Sequence, residues 1–570
     1  MGADTAATGH RSPAFAVLGI AALGALIWLL ALGVPTSHAV AVNDSDSWMH
    51  VVRLLEILER GAWNHGITLR DGAPTGYALH WSMPLDLLVL GAAAPLAASQ
   101  GWEAAIRAIA PYVGAITGIL LIVAMAWAIL PAGRLAAGLA VIFTATALPV
   151  LGYGRLGVCD HHLLIEAVSV AAVAAAWRAS GNGARAGLGA LTGVLGGLCL
   201  WTALEAAPAA LLAGMVVILP AILAPERYRP MAAAYAVALP ATTLLALAID
   251  RPADLATTDR LGPVIALLAV LGGATVVVAL LPAVTRLSLL RRFVAVGVFA
   301  VIGGALWIAA FLLCKRLSPG LTDPAVAAWH WGDIAEMTSP LRLGVGMAVA
   351  LLTQPILAMI AAALLAWRSG GRERLLWAAA LAIMLILFAG GLVAARLTLH
   401  AAVPSAAILA IALARLKSLR LLLPLAVVGL PFLLPAIIGT VPAQSSGNCV
   451  LAEASRVLAA EPGAVVLADV NLSPELLYLT RTVRTVSGTY HVNARGLGDL
   501  YHFNAAATDA AAKTIADRIG ATHVLACSSG GMPASPFRDR LFNGQHPDWL
   551  IPLPLTAPES GPMRLFRIVR

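Results

Sequence analysis

The sequence predicts a polytopic α-helical membrane protein of about 13 transmembrane helices with a small α/β domain at its C-terminal end. Three observations predict it. Apolar runs long enough to cross about 30 Å of hydrocarbon recur along the first 440 residues. Hydrophobic residues make up 60% of the chain and charged residues only 12%, a balance no soluble domain carries. After residue 442 the pattern changes to short apolar runs alternating with amphipathic stretches, as in a region where strands and helices alternate.

The apolar runs lie at 14–34, 108–130, 134–152, 163–179, 186–204, 206–224, 231–249, 262–282, 293–314, 341–366, 375–394, 398–415 and 421–440. The first is too long for the apolar part of a signal peptide and lacks a convincing cleavage site, so it reads as a retained span. A shorter stretch, 84–99, carries Asp86 and is flanked by Pro84 and Pro95. Loop charge decides how to read it. Basic residues cluster at Arg134, Arg178/Arg185, Arg227/Arg229, Arg286/Arg291/Arg292, Arg368/Arg372/Arg374 and Arg415/Lys417/Arg420. With thirteen spans and a cytoplasmic N-terminus, all six clusters fall on the cytoplasmic side, as loop arginines and lysines prefer. Counting 84–99 as a span would put all six outside, so it reads as a surface or re-entrant helix within the outer loop 35–107. In the same loop, 46–60 has helical apolar spacing and ends at Gly61, which predicts an amphipathic helix lying at the interface. In the C-terminal part, 465–470, 523–526 and 565–569 read as strands and 474–479 and 509–518 as helices. The division is 1–442, transmembrane, and 443–570, a periplasmic α/β domain.

The formal net charge of +8 reflects arginines in loops. No basic run with interleaved aromatics points to a nucleic-acid partner. Only three lysines occur, and alanine is abundant, the compositional bias of a GC-rich bacterial genome. The five cysteines are scattered singly, with no zinc-ligand spacing. Cys449 and Cys527 are the two in the polar C-terminal part, and spacing leaves open whether they pair. That part has no phosphate-binding glycine motif, and no internal repeat is visible.

Chemistry concentrates at the ends of the spans. Asp160-His161-His162 comes directly after Gly152-Tyr-Gly-Arg-Leu-Gly-Val-Cys, between two apolar runs. A carboxylate and two imidazoles at a membrane edge are expensive to desolvate and rarely lack a partner or a task. Asn43-Asp44-Ser45-Asp46 lies just after the first apolar run. On the topology above, both clusters face outward with the loops 153–162 and 315–340. Asp46, Asp160 and His162, with Asp44 and Glu336, are the ligand types of a divalent metal. Carboxylate oxygens favour Mg²⁺ or Mn²⁺, and one imidazole tilts toward Mn²⁺. The plainer readings are a helix N-cap for Asp44 and Asp46 and an interfacial hydrogen-bonded pair for His161 and His162. Arg396 also faces outward, against the charge rule; a phosphate or pyrophosphate gripped bidentately would explain it, and so would snorkelling to headgroups. Glu336 lies in a loop with Trp329 and Trp331, and tryptophans there suit an interfacial belt.

In four patches, in order, the chain resembles the catalytic subunit of oligosaccharyltransferase, a GT-C superfamily membrane glycosyltransferase. Asp46-Ser-Trp-Met-His50 is similar to its first acidic motif. Arg155-Leu-Gly-Val-Cys-Asp-His-His162 is similar to its second, Ile334-Ala-Glu336 to the Glu motif of a mobile external loop, and Arg396, shortly before Pro404, to the arginine that grips the donor's pyrophosphate. The resemblance covers 14–440 and implies the roles. Asp46, Asp160 and His162 would be metal ligands, Asp46 and Glu336 catalytic, and Arg396 would hold the donor phosphates. His50, Asp44 and His161 are secondary candidates, with His161 supporting the ligands. The region that resembles the family's peptide-reading segment, Val466-Leu-Ala-Asp-Val-Asn-Leu-Ser, lacks its Trp-Trp-Asp-Tyr-Gly motif, although Arg481–Asn493 still resembles the family's strand and loop C-terminal to that motif.

The expectation is therefore a metal-dependent, inverting glycosyltransferase of a bacterial inner membrane. It would move a sugar or oligosaccharide from a polyprenyl-(pyro)phosphate donor to a glycan, lipid or protein acceptor at the periplasmic face. The alternatives are a lipid-linked saccharide or ion-coupled transporter or flippase, and a non-catalytic envelope-polysaccharide scaffold.

Overall fold

The computed structural model describes residues 13–32, 41–61, 67–181, 185–250, 261–317, 320–415, 449–528, 532, 535–556 and 562–569. Among them, nine helices are long and apolar enough to cross a membrane: Trp102–Ala132, His162–Gly181, Leu204–Leu223, Pro225–Asp250, Gly262–Leu280, Leu289–Arg316, Val345–Arg368, Gly371–Val393 and Ala395–Arg415. Arg134–Thr146 and Leu148–Gly154 make a tenth if counted as one span, bent by 62°. The bend falls at Ala147, whose extended backbone ends the first helix just before Leu148-Pro149, where proline resumes a helix better than it continues one. Ala14–Leu30 and Ala186–Thr202 are apolar but shorter. The expected count of about thirteen is thus nine or ten on length and apolarity among the described residues, and the run 421–440 lies outside them.

The two largest apolar cores among the described residues lie between helices. One joins Trp28 of the Pro13–Leu32 helix to Leu121, Phe143, Ala358 and Leu409. The other joins Cys199, Ala213, Tyr235 and Ala269. His162–Gly181 belongs to both, with Leu163 and Ala167 on the first side and Ile165, Ala172 and Ala176 on the second. Its first residue, His162, therefore stands at the seam between them.

The outer loop is built rather than slack. Ser45–Arg60 is helical, ends at Gly61 in the left-handed conformation, and is capped by Asp44, which accepts from the Ser47 amide at 2.9 Å. It does not lie at a lipid interface as expected. Val51, Leu54 and Leu55 pack on Leu85, Val89 and Ile106, while Met49 and Val52 pack on Leu79, Trp81, Leu477 and Tyr490. The helix is buried on both flanks because Pro84–Gln100 and Trp102–Ile109 cover one and the C-terminal region covers the other.

β1 (Ile67–Thr68) and β2 (Tyr77–Ala78) form a small antiparallel pair. The C-terminal sheet takes the order β4-β3-β5-β7-β6 from β3 (Val465–Ala468), β4 (Arg484–Thr485), β5 (His523–Cys527), β6 (Leu550–Leu553) and β7 (Met563–Ile568). β4, β3 and β5 are parallel, and β7 and β6 run antiparallel. The three expected strands and two expected helices are present. β4, β6 and the helices Ala452–Ala459, Ala494–Asn504 and Pro536–Phe542 come in addition. Cys449 and Cys527 form a disulfide, which settles the pairing that spacing left open.

The sheet region is tied to the outer loop by buried polar contacts. Arg70 donates to the carbonyls of Leu477 at 2.7 Å and Thr480 at 2.6 Å. Buried Asp71 accepts from Tyr77 at 2.6 Å, Thr485 at 2.8 Å and the Gly488 amide at 3.0 Å. These contacts hold the 487–493 loop over the N-terminus of the Ser45–Arg60 helix, where Tyr490 donates to the Ser45 carbonyl at 3.0 Å.

Candidate functional site

The two acidic clusters meet. The Asn43 amide donates to the Gly157 carbonyl at 3.1 Å, and the Cys159 amide donates to Ser47 Oγ at 2.7 Å. Gly157 has φ +91°, and a Cβ there would lie 2.8 Å from the Ala41 carbonyl oxygen and 2.4 Å from Asn43 Nδ2. Only glycine lets the two segments approach this closely.

Asp160 is buried and draws in both following histidines. His161 Nδ1 lies 2.8 Å from Oδ1, and His162 Nδ1 donates to Oδ2 at 2.7 Å. Burial alone would raise the Asp160 carboxyl; the His162 and His161 imidazoles hold it well below the usual carboxylate range. Asp46 goes the other way. Burial, then the charges of Asp160, Asp44 and Glu336, push it well above its ordinary value, against the pull of His162. Two carboxylates pushed apart in this way share one electrostatic site. Asp44 is spent on the cap: both its oxygens accept from Ser47, one from the amide and one from the hydroxyl at 2.5 Å.

With Nδ1 given to Asp160, His162 Nε2 is buried and has no hydrogen-bond partner among the described residues. A carboxylate that fixes one ring nitrogen and leaves the other open is the arrangement metal-binding histidines adopt. Ligand atoms of His50, Asp160 and His161 also lie within 4.8 Å of one another. His50 stacks on Trp81 with centroids 4.0 Å apart, and its Nδ1 lies 3.7 Å from buried Asp86, which pairs with Arg53 at 3.1 Å. One Asp160 oxygen with a nitrogen each from His50 and His161, so close together, fits a divalent cation.

A second pole, the Arg396 guanidinium set among carboxylates, faces this acidic centre. Arg396 lies in the short turn Ala395–Leu397 and Glu336 in the turn Ala335–Met337. The Ala395 amide donates to the Thr338 carbonyl at 2.9 Å, and Ser339 Oγ donates to the Leu392 carbonyl at 2.6 Å, holding the two turns together. Arg396 lies 3.5 Å from Glu336 and is ion-paired with Glu205, whose other oxygen is 3.9 Å from His400 Nε2. His400 Nδ1 is hydrogen-bonded to Glu166. Tyr153 joins the poles: its ring stacks on His162 at 4.4 Å and its hydroxyl donates to Glu336 at 2.9 Å.

The structure thus brings Asp46, Asp160, His161, His162, His50, Glu336 and Arg396 to one end of the helices. Sequence reasoning missed Tyr153, Glu166, Glu205 and His400. Glu166 had a signal, since it stands four residues after His162 on the same helical face. His400 had the same signal, four residues after Arg396, whereas Glu205 had none, because its partners lie far away in sequence.

No protein-family model and no curated protein matches the sequence. Solved structures do match. The archaeal oligosaccharyltransferase AglB of Archaeoglobus fulgidus, in complex with an inhibitory peptide and a dolichol-phosphate, superposes with a TM-score of 0.66 at 15% identity, over 89% of this chain and 69% of that one. The A. fulgidus enzyme in complex with Zn and sulfate gives 0.62 at 15% identity, over 89% and 67%. The same enzyme tethered to an acceptor peptide containing the NVT sequon gives 0.63 at 15% identity, over 90% and 69%. The chain is a polytopic helical membrane protein that shares the fold of the archaeal oligosaccharyltransferase.

Proposed function

We propose that this chain is a metal-dependent, inverting glycosyltransferase that moves a sugar or oligosaccharide from a polyprenyl-(pyro)phosphate donor to an acceptor. The observation that carries the reading is the pairing of poles: the Asp46/Asp160 centre and the Arg396 guanidinium stand at one end of the helices, joined through His162, Tyr153 and Glu336. The fold shared with a protein solved in complex with a dolichol-phosphate and tethered to an acceptor peptide supports it.

Asp46, Asp160 and His162 would hold Mn²⁺ or Mg²⁺, with His50 and His161 beside them. Such an ion supplies Lewis-acid neutralisation of charge on the departing phosphate. Arg396 binds the phosphate oxygens as a planar fork and leaves its carboxylate partners to do so. Asp46 and Glu336 accept a hydrogen bond from the acceptor's nucleophilic atom and orient it toward the anomeric carbon, opposite the departing oxygen. Asp160 fixes the His162 ring through Nδ1, and Tyr153 covers that ring and keeps Glu336 facing the centre.

The division into a catalytic helical part, 1–442, and a periplasmic α/β domain, 443–570, belongs to the same reading, as does a bacterial inner membrane with a cytoplasmic N-terminus. Two features support the periplasmic side: the arginines cluster in the loops of the opposite face, and the disulfide suits an oxidising compartment.

The test is sugar transfer by the purified chain in lipid nanodiscs with a polyprenyl-pyrophosphate oligosaccharide. Asp46→Ala and Asp160→Ala should each abolish metal-dependent turnover while folding and inserting normally. Full activity in both would overturn the assignment.

A further inference from the structure

Beside the acidic centre, a row of rings leads outward. Trp81 lies 6.5 Å from His161, His80 5.7 Å from Trp81, His491 4.8 Å from His80, and Trp331 5.7 Å from His491, centroid to centroid. Three separate segments build it: the outer loop after β2, the Pro324–Asp333 helix, and the 487–493 loop of the C-terminal region. Tyr490 braces the middle, edge-on to Trp81 at 5.1 Å and bonded to the Ser45 carbonyl beside Asp46. The inner ring, Trp81, is buried, whereas His80 and Trp331 are exposed and His491 is half-buried.

We propose that His80, His491 and Trp331 form the acceptor subsite and that the acceptor is a saccharide. This rests on the transferase reading above and names its second substrate by class. A sugar ring has an apolar face of C–H groups and a rim of hydroxyls. Trp331 offers a flat apolar surface for the face. A neutral imidazole carries one donor and one acceptor nitrogen, which match a hydroxyl in either direction. Burial, then the charges of Lys315 and Arg396, lower His491, and burial with His491 lowers the adjoining His330 to about 4. A row of ring faces and polar edges suits a polyhydroxyl chain. In the reaction, an acceptor hydroxyl oxygen bonds to the anomeric carbon as the bond from that carbon to the phosphate oxygen breaks. The electron pair leaves with the phosphate, and the hydroxyl proton passes to a carboxylate of the centre.

The test uses full-length protein in nanodiscs without donor, titrated with maltohexaose, cellohexaose, xylohexaose and hexa-N-acetylchitohexaose and, separately, with an Asn-Val-Thr peptide. At least one hexasaccharide should bind saturably. Trp331→Ala should weaken it by about tenfold, the loss of one stacking contact. Trp331→Phe should restore part of that loss, and His491→Ala should also weaken binding. Trp331 is exposed, so thermal unfolding should report these proteins folded. Binding of none of the saccharides, binding indifferent to Trp331→Ala, or peptide binding at Trp331 in their place would overturn the proposal. Transfer is scored separately. Asp160-dependent transfer without saccharide binding leaves the transferase reading standing and sinks this one, whereas saccharide binding without transfer shows a saccharide site but sinks the transferase reading and the acceptor role with it.

Discussion

The ring of Tyr153 lies on the imidazole of His162, centroids 4.4 Å apart and planes 15° from parallel, and the same residue donates its hydroxyl to Glu336 at 2.9 Å. One side chain therefore links the acidic cluster after the bent helix pair to the turn that carries Glu336. Tyr153→Phe keeps the stack and removes the hydrogen bond. Turnover should fall about tenfold, the cost of one hydrogen bond to a charged group. Tyr153→Ala should fall further because the His162 ring also loses its cover. Steady-state transfer kinetics on both variants check this.

Asp46 predicts a pH dependence. Burial and the neighbouring carboxylates raise its pKa, so the metal-free native state holds a proton that the unfolded chain releases at the ordinary carboxylate value. Between those two values the native state binds more protons than the unfolded one, so stability falls as pH rises through that window. Metal competes for the same oxygens, so Mn²⁺ affinity should increase with pH over the same window. Thermal unfolding with and without Mn²⁺ across a pH series reads both slopes. Asp46→Asn should flatten the metal-free one.

Arg396 sits between two carboxylates, paired with Glu205 and 3.5 Å from Glu336. Lysine keeps its charge but not its fork. Arg396→Lys should raise the donor KM by about tenfold and change kcat less, because the loss falls on bidentate phosphate binding. Donor titrations with the variant decide it. An unchanged KM would place the phosphates elsewhere.

The Cys449–Cys527 disulfide closes a separation of 78 residues across the C-terminal sheet region. Cys449→Ser should destabilise that region by about 2–4 kcal/mol, as should reduction of the parent protein. Proteolytic sensitivity of the segment after 449, with and without reductant, measures it.

Much of the helical scaffold was legible because lipid leaves the backbone few options. A spanning segment must satisfy its own hydrogen bonds, so long apolar runs announce helices. The bend at Ala147 was less legible, although Pro149 marked it. The Ser45–Arg60 helix was visible in its spacing, but its setting was not. The stripe that reads as lipid-facing packs instead on Leu85 and Ile106. An apolar stripe states that it will be buried, not against what. In the C-terminal sheet, β5 showed as a continuous apolar run because all five of its residues are buried, while two-residue β4 carries no pattern to read.

By itself, the sequence determined the class of protein, the positions of most helices, and the residues whose charge at a helix end had to be accounted for: Asp46, Asp160, His162, Glu336 and Arg396. Desolvation is a local cost, and a local cost is written locally. Only the tertiary structure decided which of these groups share a field, that Asp44 serves as a cap, that Glu205 and His400 flank Arg396, and that His80, His491 and Trp331 line up beside the acidic centre. Each of those relations depends on a distance of a few ångströms between segments far apart in the chain, and close approach is set by the packing of whole helices and loops.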